Sequence, residues 1–374
     1  MSEIKVNSIK GVGASTPAIT VNNSNGTCTA NITNNLSNRN LIINGAMNIA
    51  QRGTSSTSSG YQTVDRFRLA VANTDQAAYT QKQVTDSPDD FSQSYEFDVT
   101  TAETSLDSNE YAYIGHRIEA QNLQTVKANQ VTLSFHVKAY QTGTYTINIF
   151  QSDGGIHITK TYTINQTATW EKKTLTFPAN TGTQPNNDNG FGWEIAWIMA
   201  AGSGVSSSDS TSWGAYSDAG FAYGQGVNVL SSTNNYFKIT GVQLEVGTVA
   251  TDFEHRSFGH EFALCQRYLF RLGSNSSIYD SLAMGVASND IYCKTVIPYP
   301  VATRATPTFT YNDITIDDDV ATYNSNRIQS ILSTQGGTQT GQIIFQCGSF
   351  TAAGRAFRVL ANNALGYIQG DAEL

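Results

Sequence analysis

Charge is scarce in this chain. Asp, Glu, Lys and Arg supply 14% of its 374 residues, where ordinary globular domains carry about a quarter. The 22 basic residues are outnumbered by 30 acidic ones, leaving a net charge of −8, and the longest basic run is Lys172-Lys173. A duplex-binding surface needs clustered positive charge to displace counterions, so nucleic acid is excluded as a partner. Long apolar runs are also missing. Residues 1–13 lack the apolar stretch of a signal peptide, and no later segment approaches the ~20 apolar residues that cross a bilayer. The expectation is a chain made and folded in a cytoplasm, with no membrane insertion. Cys28, Cys265, Cys293 and Cys347 lie far apart, without the paired spacing that holds zinc, and are expected to be free, mostly buried thiols. Gly11-Val12-Gly13 and Gly202-Ser203-Gly204 lack a third glycine, and neither leads into Gly-Lys-Ser/Thr, so no phosphate cradle is read there. There is no Gly-x-Ser-x-Gly elbow, no repeat of 20 to 50 residues and no β-helical coil pattern. No cofactor is expected.

Aromatic and turn-forming residues are plentiful: 18 Tyr, 17 Phe and 31 Gly. From Asn40 onward the segments VDRFRLAVA, AAYTQKQV, SYEFDVT, NEYAYIGHRI, VTLSFHVKAY, TYTINIF, HITKTYTI, WEKKTLTF and FGWEIAWIMA alternate or carry β-branched and aromatic residues. Gly, Asn, Asp or Pro separates them, which predicts a sandwich or barrel. In VTLSFHVKAYQTGTYTINIF, Leu133, Phe135 and Val137 alternate, Gln141-Thr142-Gly143 turns, and Tyr145, Ile147 and Ile149 alternate, which predicts a hairpin. Phe191, Trp193, Ile195, Trp197 and Met199 share one strand face, read as core because burying each large side chain is worth ~1.5–3 kcal/mol. Residues 202–235 read as a long loop that Trp213, Tyr216, Phe221 and Tyr223 would order.

Gly241–Leu269 carries the one helix signal. Phe258, Phe262, Cys265 and Leu269 fall at i, i+4, i+7 and i+11, on one helical face. Ser257 is the expected N-cap, with His260 and Glu261 near the positive end of the dipole and Arg267 and Arg271 toward the negative end. Just upstream, Val242, Leu244 and Val246 oppose Gln243 and Glu245, which predicts a half-buried strand. Phe237 and Ile239 have the other parity, placing a bulge at Gly241.

The run GVQLEVGTVATDFEHRSFGHEFALCQRY resembles a segment of tail-fibre and receptor-binding proteins of tailed bacteriophages, where a jelly-roll domain ends and a helix leads onward. NLIINGAMNIAQRG (residues 40–53) and VDRFRL (residues 64–69) look like the start of the same domain, so the resemblance frames residues 40–271. An acidic residue is common in that family where this chain has His260, so only the Ser257 half of a capping box is expected. The strand pair at 131–150, the Trp170 strand and the closing YFKITGVQLE also resemble jelly-roll carbohydrate-binding modules. Some of those carry a calcium-ligating Asp on the last strand. Gly241 falls near that place, so no calcium site is carried over and no metal is assigned.

The expected fold class is therefore all-β. Residues 1–39 would form an N-terminal segment for virion attachment or trimerisation, and 40–256 a jelly-roll β-sandwich. Residues 257–272 would be a linking helix and 273–374 a C-terminal β-sandwich-like domain. The resemblance implies a homotrimeric tail fibre in the virion, with other phage tail proteins and a host surface glycan as partners.

Candidate chemistry is thin. His255, His260, Glu261 and Cys265 lack the His-Glu-x-x-His spacing of a zinc site and read as an ordinary helix start. Asp188, Glu194, Asp209 and Asp218 could supply a glycosidase pair only if two of them flank one site, and loop carboxylates are usually solvated. Sugars stack on aromatic rings, and Trp213, Tyr216 and Tyr223, with Asp218, are the candidate carbohydrate contacts; the competing reading makes these aromatics anchors that pin the loop. Phe258, Phe262, Cys265 and Leu269 are the candidate helix-packing or oligomer contacts. Tyr279, Asp280, Tyr292, Tyr299, Tyr311, Asn312 and Tyr323 are unranked surface candidates. The expected function is a non-enzymatic tail-fibre protein binding cell-surface carbohydrate; the alternatives are a polysaccharide depolymerase and a purely architectural tail component.

Overall fold

The computed structural model describes residues 6–10, 12, 19–21, 24, 28–30, 38–273, 280–289, 291–317, 322–323, 328–347 and 353–374. Tyr279 and the side chain of Tyr323 lie outside the described residues. The fold is all-β and antiparallel apart from one α-helix and short 3-10 turns, as the alternation predicts. At the N-terminus β1 (Ser8–Ile9), β2 (Ile19–Val21) and β3 (Cys28–Ala30) make a three-stranded sheet.

The sandwich strands follow in chain order: β4 (Ser55–Ser56), β5 (Phe67–Ala72), β6 (Ala78–Val84), β7 (Ser94–Thr101), β8 (Tyr111–Glu119), β9 (Val131–Ala139), β10 (Gly143–Gln151), β11 (Ile156–Ile164), β12 (Glu171–Phe177), β13 (Phe191–Ala201), β14 (Gly214–Ala215) and β15 (Tyr236–Val246). They form two six-stranded sheets, a front sheet ordered β14-β11-β10-β13-β8-β5 and a back sheet ordered β12-β9-β15-β7-β6-β4. The inward-facing halves of both alternate into one core, with Trp197, Ile147, Ile114 and Phe67 from the front meeting Phe135, Phe237, Phe97 and Leu244 from the back.

The hairpin expected from residues 131–150 does not form. β9 pairs with β12 and β15 in the back sheet, while β10 pairs with β11 and β13 in the front sheet. The reason is packing: Leu133, Phe135 and Val137 and Tyr145, Ile147 and Ile149 are all buried in the same core. Two strands so apolar on one side bury more by facing each other across a sandwich than by lying side by side. The shared face expected for Phe191 through Met199 also breaks at one end. A register shift between Phe191 and Trp193 turns Phe191 outward, while Trp193, Ile195, Trp197 and Met199 stay in the core.

β15 carries the expected bulge. Register shifts between Thr240 and Gln243, and Gly241 adopts φ +61, where a Cβ would stand 2.5 Å from the Phe91 ring. The strand is not half-buried, however, since Gln243 and Glu245 are as enclosed as Val242 and Leu244. Neighbouring chain covers that face: Glu245 accepts from the amide of Thr251 at 2.8 Å, and Gln243 accepts from the amide of Glu254 at 2.8 Å.

Helix α1 (Phe258–Gln266) begins at Ser257, whose hydroxyl accepts from the amide of His260. It is shorter than the four-residue periodicity implied. Leu269 opens the next strand instead, and Phe258 stays 65% exposed with its ring stacked 5.8 Å from Phe262. Cys265 is buried with Ile43, Ile49 and Tyr268. Arg267 leaves the helix end to clamp Glu119 of β8 with two hydrogen bonds of 2.8 Å, and Arg271 sits in a strand rather than near the helix terminus.

Beyond the helix come β16 (Leu269–Leu272), β17 (Ser281–Ala287), β18 (Tyr292–Pro298), β19 (Thr308–Asn312), β20 (Ile314–Asp317), β21 (Thr322–Tyr323), β22 (Ile328–Gly336), β23 (Thr340–Cys347), β24 (Ala356–Ala361) and β25 (Tyr367–Asp371). They make a three-stranded sheet, β16-β25-β19, and a seven-stranded sheet, β21-β20-β24-β17-β18-β23-β22, around Phe270, Phe309, Ile343, Phe345 and Ile368. The apolar alternation of residues 307–316 divides between the two sheets at Asp313, which takes φ 43 and whose carboxylate accepts from Asn362 at 3.0 Å.

The end of this domain returns to the sandwich. Arg66, 1% exposed, pairs with Glu373, donates to the Arg117 carbonyl at 2.6 Å and lies 3.4 Å from the centre of the Tyr268 ring. Arg52 pairs with Asp371 at 2.8 Å, and Arg304 donates to the carbonyls of Ala372 and Glu373 at 2.9 Å each.

Removing one member of a buried ion pair strands the other charge, so Glu373→Ala is expected to lower unfolding free energy by about 3 kcal/mol or more in urea titrations. Burial also pushes the neighbouring Asp65 carboxyl up to about 6. A raised carboxyl favours the fold when protonated, and that contribution is present at about pH 4 and lost as pH climbs through 6. Wild type compared with Asp65→Asn should therefore lose about 2 to 3 kcal/mol of relative stability between pH 4 and 7; parallel pH dependence of the two urea midpoints would contradict this.

Candidate functional site

The outer face of the front sheet is divided by residues 202–226. Thr146 and Asn148 of β10 donate to the carbonyls of Tyr223 and Phe221 at 3.1 and 2.9 Å, and Thr159 of β11 bonds Ser210 at 2.8 Å. These polar outer-face side chains staple the segment across β10 and β11. What stays open is the face of β13 and β8, with Phe150 of β10 at one end, a groove of about 630 Å³.

Its walls are aromatic. Tyr111 and Tyr113 point outward from β8, stacked at 5.9 Å, and Phe221 meets both rings at 5.4 Å. Toward the other end Phe150 packs 5.9 Å from the out-turned Phe191 and 5.1 Å from Tyr216. Glu194, 8% exposed, marks the polar centre: its Oε1 is 3.1 Å from Arg68 and 3.4 Å from Arg117. The register puts Glu194 directly opposite Arg117 on β8, but Arg68 must reach across from β5. It passes over Gly115, where a Cβ would stand 2.8 Å from Glu194 Oε1 and 3.3 Å from the Arg68 side chain. Arg117 also lies 4.5 Å from the Phe191 ring centre, and its other end donates to the carbonyl of Leu374 at 2.7 Å.

Burial raises the hydroxyls of Tyr113 and Tyr216 above the usual phenol range, with Glu194 adding to the first and a hydrogen bond to Asp218 adding to the second. Both phenols therefore stay protonated at neutral pH and can donate. The groove thus sets stacking faces around an acceptor flanked by guanidinium donors.

Of the candidate sugar contacts, Tyr216 and Asp218 line this groove, whereas Trp213 and Tyr223 do not. Trp213 packs 5.7 Å from Trp193 and its indole N–H donates to the carbonyl of Pro178 at 2.8 Å, fixing the segment to the sandwich edge. Two of the four candidate carboxylates, Glu194 and Asp218, share the groove; Asp209 binds Thr211 and Asp188 the amide of Gly190. The helix-start residues do not converge: His255 packs between Phe91 and Phe253, and Glu261 pairs with Arg256. In the outer domain Tyr299 is buried in the core, while Tyr292 and Tyr311 are half-buried strand residues and Asn312 donates to the Leu365 carbonyl. Asp280 is half-buried, and its carbonyl accepts from the amide of Ala361.

Near the groove, Asp75, Glu103 and Glu110 bring carboxylate oxygens within 4.8 Å of one another, the one such group among the described residues. Glu103 and Glu110 already accept from the amides of Gln76 and Asp107, at 2.9 and 2.6 Å, and so act as loop caps.

The residues missed were Tyr111, Tyr113, Phe150, Arg68 and Arg117. Their signal was parity: in NEYAYIGHRI the two tyrosines alternate against Ala112 and Ile114, and Phe150 alternates against Ile149, so each is aromatic on the side away from the core.

No family model and no curated protein matches the chain. Among solved structures it is similar to the enzymatically active domain of tailspike protein 4 from bacteriophage CBA120, with 15% identity and a TM-score of 0.32. That match covers 56% of this chain but only 21% of the tailspike chain. A sugar-binding protein assigned in Bacteroides thetaiotaomicron VPI-5482 matches with 11% identity and a TM-score of 0.33, over 56% of this chain and 100% of that one. A family 11 carbohydrate-binding module from Clostridium thermocellum matches with 12% identity and a TM-score of 0.28, over 54% and 98% of the two chains. Among the described residues no helix is long and apolar enough to cross a membrane.

Trp213→Ala removes a half-buried anchor outside the groove. It is expected to cost about 2 kcal/mol in chemical denaturation, with the tyrosine environment of the groove, followed by near-ultraviolet circular dichroism, left as in wild type.

Proposed function

We propose that this chain is a phage tail-fibre subunit that binds host cell-surface carbohydrate in the front-sheet groove, without turning it over. The observation that carries the reading is the groove's make-up: rings of Tyr111, Tyr113, Phe191, Phe150 and Tyr216 around the Arg68–Glu194–Arg117 cluster. A pyranose ring presents apolar C–H faces and hydroxyls that both donate and accept. Aromatic walls suit the first, and an acceptor beside fixed donors suits the second. The volume of about 630 Å³ lies within the usual span of small-ligand sites.

In this reading residues 1–39 attach the fibre to other tail proteins and 273–374 form the outer domain. The subunit works as a homotrimer in the virion, so that weak single-site contacts act together. The exposed Phe258, stacked on the partly buried Phe262, is the helix residue assigned to contact between copies.

The test is a glycan array on the full chain, followed by calorimetry on the best hit. Tyr111→Ala and Glu194→Gln are each expected to weaken binding at least tenfold, about 1.4 kcal/mol, while Trp213→Ala binds as wild type. Equal affinity in all four proteins would remove the groove from the reading. Glu194 and Asp218 sharing one groove is the feature that favours a depolymerase instead, and new reducing ends released from the bound glycan would establish that alternative. Absence of any glycan ligand would leave an architectural component.

A further inference from the structure

Cys293 and Cys347 are free, buried thiols, as expected, and stand 54 residues apart in sequence. The fold brings their sulfurs to 3.5 Å. Cys293 lies in β18 opposite Phe345 of β23, and the amide of Cys347 donates to the carbonyl of Ile291 at 2.8 Å, which sets Cys347 two rungs away on the same side of the ladder. The two are diagonal neighbours facing the outer-domain core, 0% and 2% exposed. Both remain free thiols.

We propose that Cys293 and Cys347 are an oxidative cross-linking site, joined as a disulfide across β18 and β23 when the protein meets a disulfide-type oxidant. A disulfide bond is ~2.05 Å long, so the sulfurs must close by about 1.5 Å. Because diagonal neighbours lie farther apart than a disulfide usually spans, side-chain rotation must be joined by the two strands drawing together at the ladder end. Access is through the ladder end. Cys347 is the last residue of β23, so opening its terminal rung exposes it without unfolding the sheet. At 3.5 Å each thiol can donate to the thiolate of the other, and the position at the ladder end makes Cys347 the partner that a small disulfide reaches first.

The chemistry balances with one low-molecular-weight disulfide. The Cys347 thiolate attacks a sulfur of oxidised glutathione and expels one glutathione thiolate, which takes up the proton released from Cys347. Cys293 then loses its proton and attacks the Cys347 sulfur in the mixed disulfide, expelling the second glutathione as its thiol. Two protein thiols and one disulfide become one protein disulfide and two glutathione thiols. Linking positions 54 residues apart restricts the unfolded outer domain, so the oxidised form should melt higher.

The experiment incubates the folded full chain with oxidised glutathione, quenches in acid, unfolds it, labels with maleimide and weighs it. Of the four cysteines, two are expected to escape labelling without any retained glutathione, and digestion should yield one peptide pair joining Cys293 to Cys347. The Cys293→Ala variant should stop at a single glutathione adduct on Cys347. Peptide mapping of wild type stands independently if that variant folds poorly. Four labelled thiols, persistent glutathione adducts in wild type, a link through Cys28 or Cys265, or a link that forms only in denaturant would each overturn the proposal.

Discussion

Arg66 is sealed from solvent and held at φ 69, in the left-handed region that side chains other than glycine seldom occupy. Such a backbone costs about 1 to 3 kcal/mol, and a buried guanidinium costs more unless its charge is answered. Here Glu373 and the Arg117 carbonyl take its two terminal nitrogens and the Tyr268 ring lies against its face, while Nε has no hydrogen-bond partner among the described residues. Those three partners come from the far end of the chain, from the groove strand β8 and from the turn leaving the helix. One cation thereby ties the outer domain's last strand to the sandwich and anchors the base of the groove. Arg117 continues the connection, touching Leu374 at one end and Glu194 at the other.

The groove is a product of alternation interrupted in two places. Strict alternation sends Trp193, Ile195 and Trp197 inward and leaves Glu194 outward in line with Ala196 and Ile198, which pack against Tyr113. The shift at Gly192 then adds Phe191 to the outer face, where it packs with Phe150 and lies under Arg117. Gly115 supplies the gap through which Arg68 reaches Glu194. Neither aromatic richness nor charge alone would make the site; the missing side chain and the extra residue do.

Much of the fold was legible because a period of two is a strong signal when one face of a strand is buried. All nine strand segments named in residues 64–201 lie in the sandwich, and the Ser257 cap and Gly241 bulge are where local chemistry put them. What could not be read was partnership. The pattern of residues 131–150 is the same whether two apolar faces lie side by side or confront each other, so the hairpin and the sandwich crossing are indistinguishable until the other strands are placed. The candidate site was half legible for a related reason. Tyr216 and Asp218 stood out as aromatic and acidic residues in a polar loop, whereas Tyr111 and Tyr113 sit in a strand whose outward face looks like ordinary surface. Gln243 and Glu245 were misjudged because polar outward residues usually meet water, and here they meet a neighbouring loop.

The staples that hold residues 202–226 across β10 and β11 grip mainly backbone. Asn148 and Thr146 bind carbonyls, and the amides of Tyr216 and Gly226 donate to the carbonyls of Gly155 and Thr144. A segment secured by its main chain leaves the side chains of its rim positions free to differ without loosening the frame. The rim of the groove and its scaffold are therefore under separate constraints, so that the side chains of the one can change while the frame of the other stays fixed.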